Sequence, residues 1–345
     1  MPTRNARVLF NETPTGYPEP GKTDKYDDSQ TIDVENVPLN GGFLVKILYL
    51  SIDPYMKWRM ETSTAMSYAP PFTIGEPLQN FGVGIVLRSE NPDIKAADHV
   101  HGLLPFQEYF IAANEKAYRV LPKDQGIPWS VYLGACGMTG KTAYYGWVAY
   151  AEAKKDETVF VSTGAGPVGS VVIQLAKKQG LKVIASAGSD EKVEFMKSIG
   201  ADVAFNYKNK STHEILEKNG PINIYWDNVG GQALDAAIDA AAPFARFIEC
   251  GMISQYNLST ESPPYALKNL TKIVKKCLTL RGFLVTPLDE AYRDDFYATI
   301  PPMVANGEIK LLEDITEGLE GTGKALYAIQ AGTNHGKSII RVAAA

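Results

Sequence analysis

Cysteine is scarce in this chain. Cys136, Cys250 and Cys277 are the only three among 345 residues. They are odd in number and widely spaced, and no Cys-x-x-Cys pair occurs. That argues against a disulfide framework and a cysteine-held zinc cluster, and it fits reduced thiols in a cytoplasmic setting. Long apolar runs are missing as well. No stretch approaches the ~18 apolar residues of a membrane-spanning helix, and "MPTRNARVLF" at the start is too short an apolar patch for a signal peptide. Positive charge is not in excess either. The formal net charge is −5, so no global basic field draws nucleic acid or an anionic membrane, and neither is expected as a partner. Repeats and low-complexity tracts are absent.

What remains is the composition of a folded, enzyme-sized protein, 45% apolar and 21% charged, with enough length for two ordinary domains. Residues 1–130 read as a β-rich domain. "ARVLFN", "GGFLVKILYLSIDPY", "FGVGIVLRSE" and "DHVHGLLPFQEYFIAA" are strand-like runs divided by Pro, Gly and Asp. Gly82 and Gly84 inside the third run signal bulges or close backbone approach. Near residue 128 the pattern changes to "PWSVYLGACGMTGKTAYYGWVAYA", a helical spacing with a glycine break. From Val159 strands and helices alternate, with helices ending at Gly180 and Gly200. This predicts an α/β doubly wound parallel sheet over 131–300. The segment 301–345 supplies a helix and a terminal strand that return to the first domain. "LKNLTKIVKKCLTLRG" reads as a helix with a solvated basic face.

"VFVSTGAGPVGSVV" carries Gly164, Gly166 and Gly169 in G-x-G-x-x-G spacing. The pattern follows a buried-type strand and opens an apolar helix, which is the context that makes it a phosphate loop. The first glycine permits the turn, the second lets backbone approach a pyrophosphate, and the third lets the helix pack on the sheet. At the end of the next strand, "ASAGSDEK" (185–192) has no carboxylate to accept a ribose hydroxyl. A 2′-phosphate is therefore not repelled there. Ser189 and Lys192 can receive it, with a solvated helix lysine as the alternative for Lys192.

Metal ligands are few. "IGEPLQN" (74–80) has no histidine, and His99 and His101 share one strand face with no third Cys or His nearby. Acidic residues could complete such a set, but ordinary strand positions are the better reading, and no metal is expected. The aromatics Tyr55, Trp58, Tyr68, Phe72, Phe81, Phe106 and Tyr109 could line an apolar cleft, most of them serving the core.

These motifs resemble the zinc-independent medium-chain dehydrogenase/reductases, in particular the prostaglandin reductase (leukotriene B4 dehydrogenase) and plant alkenal double-bond reductase group. The carriers are "LSIDPYMKWRM" (50–60), "FGVGIV", "GMTGKTAYYG" (137–146), "GAGPVGSVVIQLAKKQG", "AGSDEK", "FNYK" (205–208), "WDNVGG" (226–231), "CGMISQYN" (250–257), "RGFLV" (281–285) and "GTNHGKSII" (332–340). They cover nearly the whole chain in order. Two departures from the family pattern stand out: an extra glycine in the phosphate loop, and the histidines of "DHVHG".

The resemblance implies a Rossmann domain inserted into a GroES-like β-rich domain, NADPH as cofactor and a homodimer. It also implies residue roles. Gly164, Gly166, Pro167, Val168 and Gly169 hold the pyrophosphate. Gly188, Ser189, Lys192 and Tyr207 surround the 2′-phosphate. Asn228, Cys250, Gly251, Ile253, Ser254, Tyr256, Phe283, Leu284, Val285 and Asn334 line the ribose and nicotinamide. Tyr256 and Tyr55 are the catalytic candidates, Tyr55 equally well a wall residue. The reaction implied is hydride transfer to the β-carbon of an enone or enal, a small hydrophobic electrophile, with the enolate stabilised by Tyr256. A quinone reductase and a non-catalytic NADPH-binding protein are the alternatives.

Overall fold

The computed structural model describes residues 2–61, 68–113, 115–123, 125–258 and 263–344. The chain forms two compact units, Met1–Leu133 with Glu313–Ala345, and Gly134–Leu312. Among the described residues no helix is long and apolar enough to cross a membrane.

In the first unit the chain runs through β1 (Thr3–Arg4), β2 (Arg7–Phe10), β3 (Asp24–Asp27), β4 (Thr31–Ile32), β5 (Phe43–Ser51), α1 (Met56–Arg59), β6 (Gln79–Ser89), β7 (His99–Pro105), β8 (Tyr109–Ala112) and β9 (Tyr118–Val120). The second unit holds α2 (Met138–Tyr150), β10 (Thr158–Val161), α3 (Pro167–Lys178), β11 (Lys182–Ala187), α4 (Asp190–Ser198), β12 (Val203–Asn206), α5 (Thr212–Asn219), β13 (Ile222–Asp227), α6 (Gly231–Ala240), β14 (Ala241–Glu249), α7 (Thr271–Lys275), β15 (Thr279–Gly282) and α8 (Asp289–Ala305). The first unit is then completed by β16 (Glu313–Glu317), α9 (Thr322–Ala331) and β17 (Lys337–Arg341).

The main sheet of the first unit has the order β16-β17-β5-β6-β7-β9, with β8 paired to β5. β5 is nearly all apolar, and most of it is buried. The glycines of β6 are there for clearance. A Cβ on Gly84 would lie 2.3 Å from Val45 Cγ1, and one on Gly82 2.7 Å from Leu104 Cδ1. The register of β5 on β6 also shifts at Leu44/Val45 and Ile47/Tyr49, the irregularity that strand glycines accompany.

The second unit is a six-stranded parallel sheet of order β12-β11-β10-β13-β14-β15. Numbered within the unit this is 3-2-1-4-5-6, the Rossmann order, in which ligands bind outside the C-terminal strand ends where the order reverses. β10, Thr-Val-Phe-Val, is buried on both faces, as a central parallel strand with helices on either side must be.

The basic stretch near 270 departs from the sequence reading. Only Thr271–Lys275 is helical; Cys277 adopts φ +52, and Thr279–Gly282 becomes the edge strand β15. Lys268, Lys275 and Arg281 are exposed, but Lys272 and Lys276 are half-buried and turn to α6 rather than to solvent. Lys276 Nζ donates to Asp239 O (2.6 Å) and Ala241 O (2.7 Å) at the end of α6, and Lys272 pairs with Asp239. Cations satisfying the last carbonyls of a helix explain the spacing. α6 itself stops at Ala240, so that Ala241 and Ala242 open β14 rather than extend the helix.

Candidate active site

The phosphate loop joins β10 to α3. Gly164 N donates to Ser186 O (2.9 Å). The three glycines have distinct reasons to be there. A Cβ on Gly164 would lie 2.7 Å from Met196 Sδ, and one on Gly169 2.5 Å from Thr163 O and 2.9 Å from Gly164 Cα. Both are therefore required by packing within the unit. A Cβ on Gly166 would meet only Thr163, at 3.3 Å. Gly166 is the N-cap of α3 and no side chain caps it; Pro167 sits at the first helical position. The amides of Val168 and Gly169 therefore face outward at the positive end of a twelve-residue helix, a ready anion site.

The neighbouring strand ends build a second feature. Ser189 is the N-cap of α4, and its Oγ accepts from Lys192 N (3.3 Å). The register Ala187↔Asn206 sets Gly188 beside Tyr207 and Lys208. A Cβ on Gly188 would lie 3.0 Å from the Tyr207 hydroxyl and 3.3 Å from Lys208 Cε. Asp190 and Glu191 are exposed, and Asp190 accepts from Asn206 Nδ2 (2.9 Å). Lys208 was not singled out in the sequence. The signal for it was "FNYK", where it follows Tyr207 directly.

At the ends of β13 and β14, Asp227 organises the backbone. Its Oδ1 accepts from Tyr225 OH (2.7 Å), Val229 N (2.7 Å) and Gly230 N (2.8 Å). Its carbonyl accepts from Cys250 N (2.9 Å) and Gly251 N (3.0 Å). Asn228 is tied to β10: its N donates to Ser162 Oγ (2.9 Å) and its Nδ2 to Ser162 O (2.6 Å). Ser254 Oγ donates to Val229 O (2.6 Å), which fastens the 250–256 loop to the 227–231 turn. Tyr256 follows the 3₁₀ turn Ile253–Gln255, and its hydroxyl oxygen accepts from Met252 N (3.3 Å). Phe283 packs edge-on to Trp226, with centroids 5.8 Å apart, while Leu284 is exposed and Val285 packs on the core of the unit. Cys250 is held as a thiol, pushed up to about 12 by burial. The structure thus brings together all the sequence-selected residues of this unit at the C-terminal edge of one sheet.

Tyr55 and Asn334 belong to the other unit. Asn334 lies between α9 and β17, where its Nδ2 donates to Gly336 O (2.9 Å). Tyr55 precedes α1, and its hydroxyl donates to Asn80 Oδ1 (2.5 Å). The Asn80 amide is fixed in this orientation because Nδ2 donates to Ser51 O (2.8 Å) and Asp53 Oδ2 (3.0 Å). Asp53 in turn pairs with Lys337 (2.7 Å), both side chains being 2% exposed. Burial, then Asp53, holds the Tyr55 phenol well above its usual range. The Tyr55 proton is thus engaged with Asn80. His99 stacks on Trp129 (3.9 Å) and His101 on Phe81 (5.7 Å). Among the described residues no group of three His, Cys, Asp or Glu is placed to hold a metal ion.

Residues 167–303 match the family of zinc-binding dehydrogenases, and residues 7–120 match the N-terminal domain of oxidoreductases. The chain is 36% identical to the NADP-dependent oxidoreductase RED1 of Cochliobolus heterostrophus, over 99% of this chain and 98% of that protein. It is 37% identical to a 2-alkenal reductase (NADP(+)-dependent) of Nicotiana tabacum, over 98% and 97%. The chain belongs to the zinc-independent medium-chain dehydrogenase/reductases, in the quinone and alkenal reductase group. Among solved structures of this medium-chain fold, CurA of Vibrio vulnificus in complex with NADPH superposes with a TM-score of 0.88. It is 31% identical and covers 99% of this chain and 100% of that one. The medium-chain reductase fold therefore extends over both units.

Proposed function

We propose that this protein reduces the C=C bond of α,β-unsaturated ketones and aldehydes with NADPH, without a metal, and that Tyr256 is the hydrogen-bond donor to the carbonyl oxygen. The observation that carries the reading is the Tyr256 hydroxyl, whose oxygen is held by the Met252 amide at the ligand-binding edge of the sheet. The names of the tobacco relative and of a (+)-pulegone reductase of Mentha piperita, 38% identical, support the substrate class.

The residues present fit the cofactor. The uncapped N-terminus of α3 and the clearance at Gly166 suit a pyrophosphate, and Ser189, Lys192, Tyr207 and Lys208 suit a 2′-phosphate. When bound, NADPH supplies a hydride to the β-carbon of the substrate. The electron pair of the alkene then moves to the carbonyl oxygen. A donor placed at that oxygen stabilises the charge as it forms. A phenol whose oxygen already accepts an N–H is polarised to donate more strongly. Tyr256 or water delivers the proton to the α-carbon, which closes the balance of one hydride and one proton per alkene.

The protein acts as a homodimer in this reading. The edge strand β15 is exposed throughout, and Phe244 and Val274 near it are 73% and 80% exposed. An open apolar edge of this kind suits pairing with a second copy. The three free thiols suit the cytoplasm.

The test is NADPH oxidation with a short enone, a saturated ketone and a quinone, using wild type and Tyr256→Phe, with products identified by mass spectrometry. The expected result is a saturated ketone from the enone alone. In Tyr256→Phe, kcat falls by about 10²–10³-fold and NADPH binding is retained. Turnover of the quinone alone, or an undiminished Tyr256→Phe, would sink the proposal.

A further inference from the structure

β13 and β14 are parallel neighbours, and at their C-terminal ends Asp227 lies opposite Glu249. Asp227 is fully buried, and its Oδ1 is saturated by Tyr225, Val229 and Gly230. Its Oδ2 and both Glu249 carboxyl oxygens are buried and meet no N–H or alcohol donor. The titratable groups facing the pair are Tyr225 on β13 and Cys250 after β14. β15 brings Gly282 opposite Glu249, while Arg281 carries its guanidinium over the ring of Tyr150. No cation is seen to compensate two negative charges here among the described residues. Two buried carboxylates side by side repel, but one proton between them turns repulsion into a hydrogen bond.

The geometry points to Glu249 as a positioning residue: as a neutral acid it donates to Asp227 Oδ2, and through the Asp227 carboxylate it fixes the 227–231 turn, to which Ser254 fastens the 250–256 loop, for the cofactor. The proton belongs on Glu249 because Asp227 alone receives backbone amides, which favour its charged form. Burial first, and Asp227 second, push Glu249 up to about 9, so the acid keeps its proton through neutral pH. Above that range the pair carries two charges, and the Asp227 carboxylate is pushed from the Val229 and Gly230 amides of the 227–231 turn. The inference rests on the proposed NADPH site but not on the enone substrate, so its test reads binding rather than turnover.

NADPH dissociation constants are measured by fluorescence from pH 7 to 10 for wild type and Glu249→Gln. The glutamine keeps an N–H donor toward Asp227 and carries no charge. Both proteins are expected to bind alike at pH 7. Above pH 9 wild type loses affinity by up to about tenfold per pH unit beyond any loss in Glu249→Gln. Lysine titration affects both proteins equally and cancels in the ratio. Infrared difference spectra of wild type supply a readout that needs no variant: a protonated carboxyl band present at pH 7 and lost as pH rises through 9. Superimposable pH profiles, or no such band, overturn the assignment. Binding that tightens with added Mg²⁺ and weakens with a chelator also overturns it, since a cation and not a proton then joins the two acids.

Discussion

Replacing Lys337 with Met tests the ion pair at the centre of the first unit. Lys337 Nζ makes three bonds, to Ser51 Oγ (2.6 Å), Ile52 O (2.9 Å) and Asp53 Oδ1 (2.7 Å). Both charged side chains are 2% exposed. Removing the ammonium leaves the Asp53 carboxylate buried with only the neutral donors Asn80 and Ser51. Breaking a buried pair from one side costs about 3–5 kcal/mol. The two remaining donors place this case near the lower end, at about 3 kcal/mol. A double variant, Lys337→Met with Asp53→Leu, leaves no buried charge and is expected to be more stable than Lys337→Met alone. The assay is urea unfolding at pH 7 followed by tryptophan fluorescence, with the transition of each unit fitted separately. Trp58 and Trp129 report on the first unit. A loss below about 1 kcal/mol, the range of an exposed pair, or a double variant weaker than the single one, would refute the reasoning.

The phosphate-loop glycines separate stability from affinity. Gly169→Ala drives a Cβ to within 2.5 Å of backbone and is expected to destabilise the second unit by about 1–3 kcal/mol. Gly166→Ala meets only a 3.3 Å contact at φ −74, so thermal melting should stay near wild type while NADPH affinity falls roughly tenfold or more. Wild-type affinity in Gly166→Ala would count against the pyrophosphate assignment. Thiol chemistry follows burial. Cys136 and Cys250 are both pushed up to about 12, whereas Cys277 is exposed. Iodoacetamide at pH 8 should modify Cys277 first in the native protein, and peptide mapping that finds Cys250 labelled earlier would contradict the burial described.

The nucleotide-binding half was legible because local signals coincide there. The apolar run of β10, the glycine triplet and the stops at Gly180 and Gly200 each mark the same boundaries. The misreading of 268–281 shows the limit of such signals. Lysines at helical spacing look alike whether they face water or cap another helix, and only the position of α6 decides between them. Pairings across long separations left no trace in the sequence. Asp53 and Lys337 lie 284 residues apart, and Asp227 meets Glu249 only through strand register. The direction of the Tyr55 hydroxyl was equally hidden, since it depends on Asn80 in another strand.

The route of the chain through the first unit has a consequence for synthesis. The end of β5 pairs with β17, so part of a strand made before the second unit waits for one made after it. The strands of the second unit all lie within residues 158–282, and that sheet can close while the remainder is still on the ribosome. Until then the Tyr49–Ser51 end of that edge of β5 stands open, while β8 already covers Phe43–Lys46. Non-local pairing of this kind is slow and exposes strand edges to other chains. The first unit, which completes itself only after the second, is therefore the one in greater need of a chaperone while it is being made.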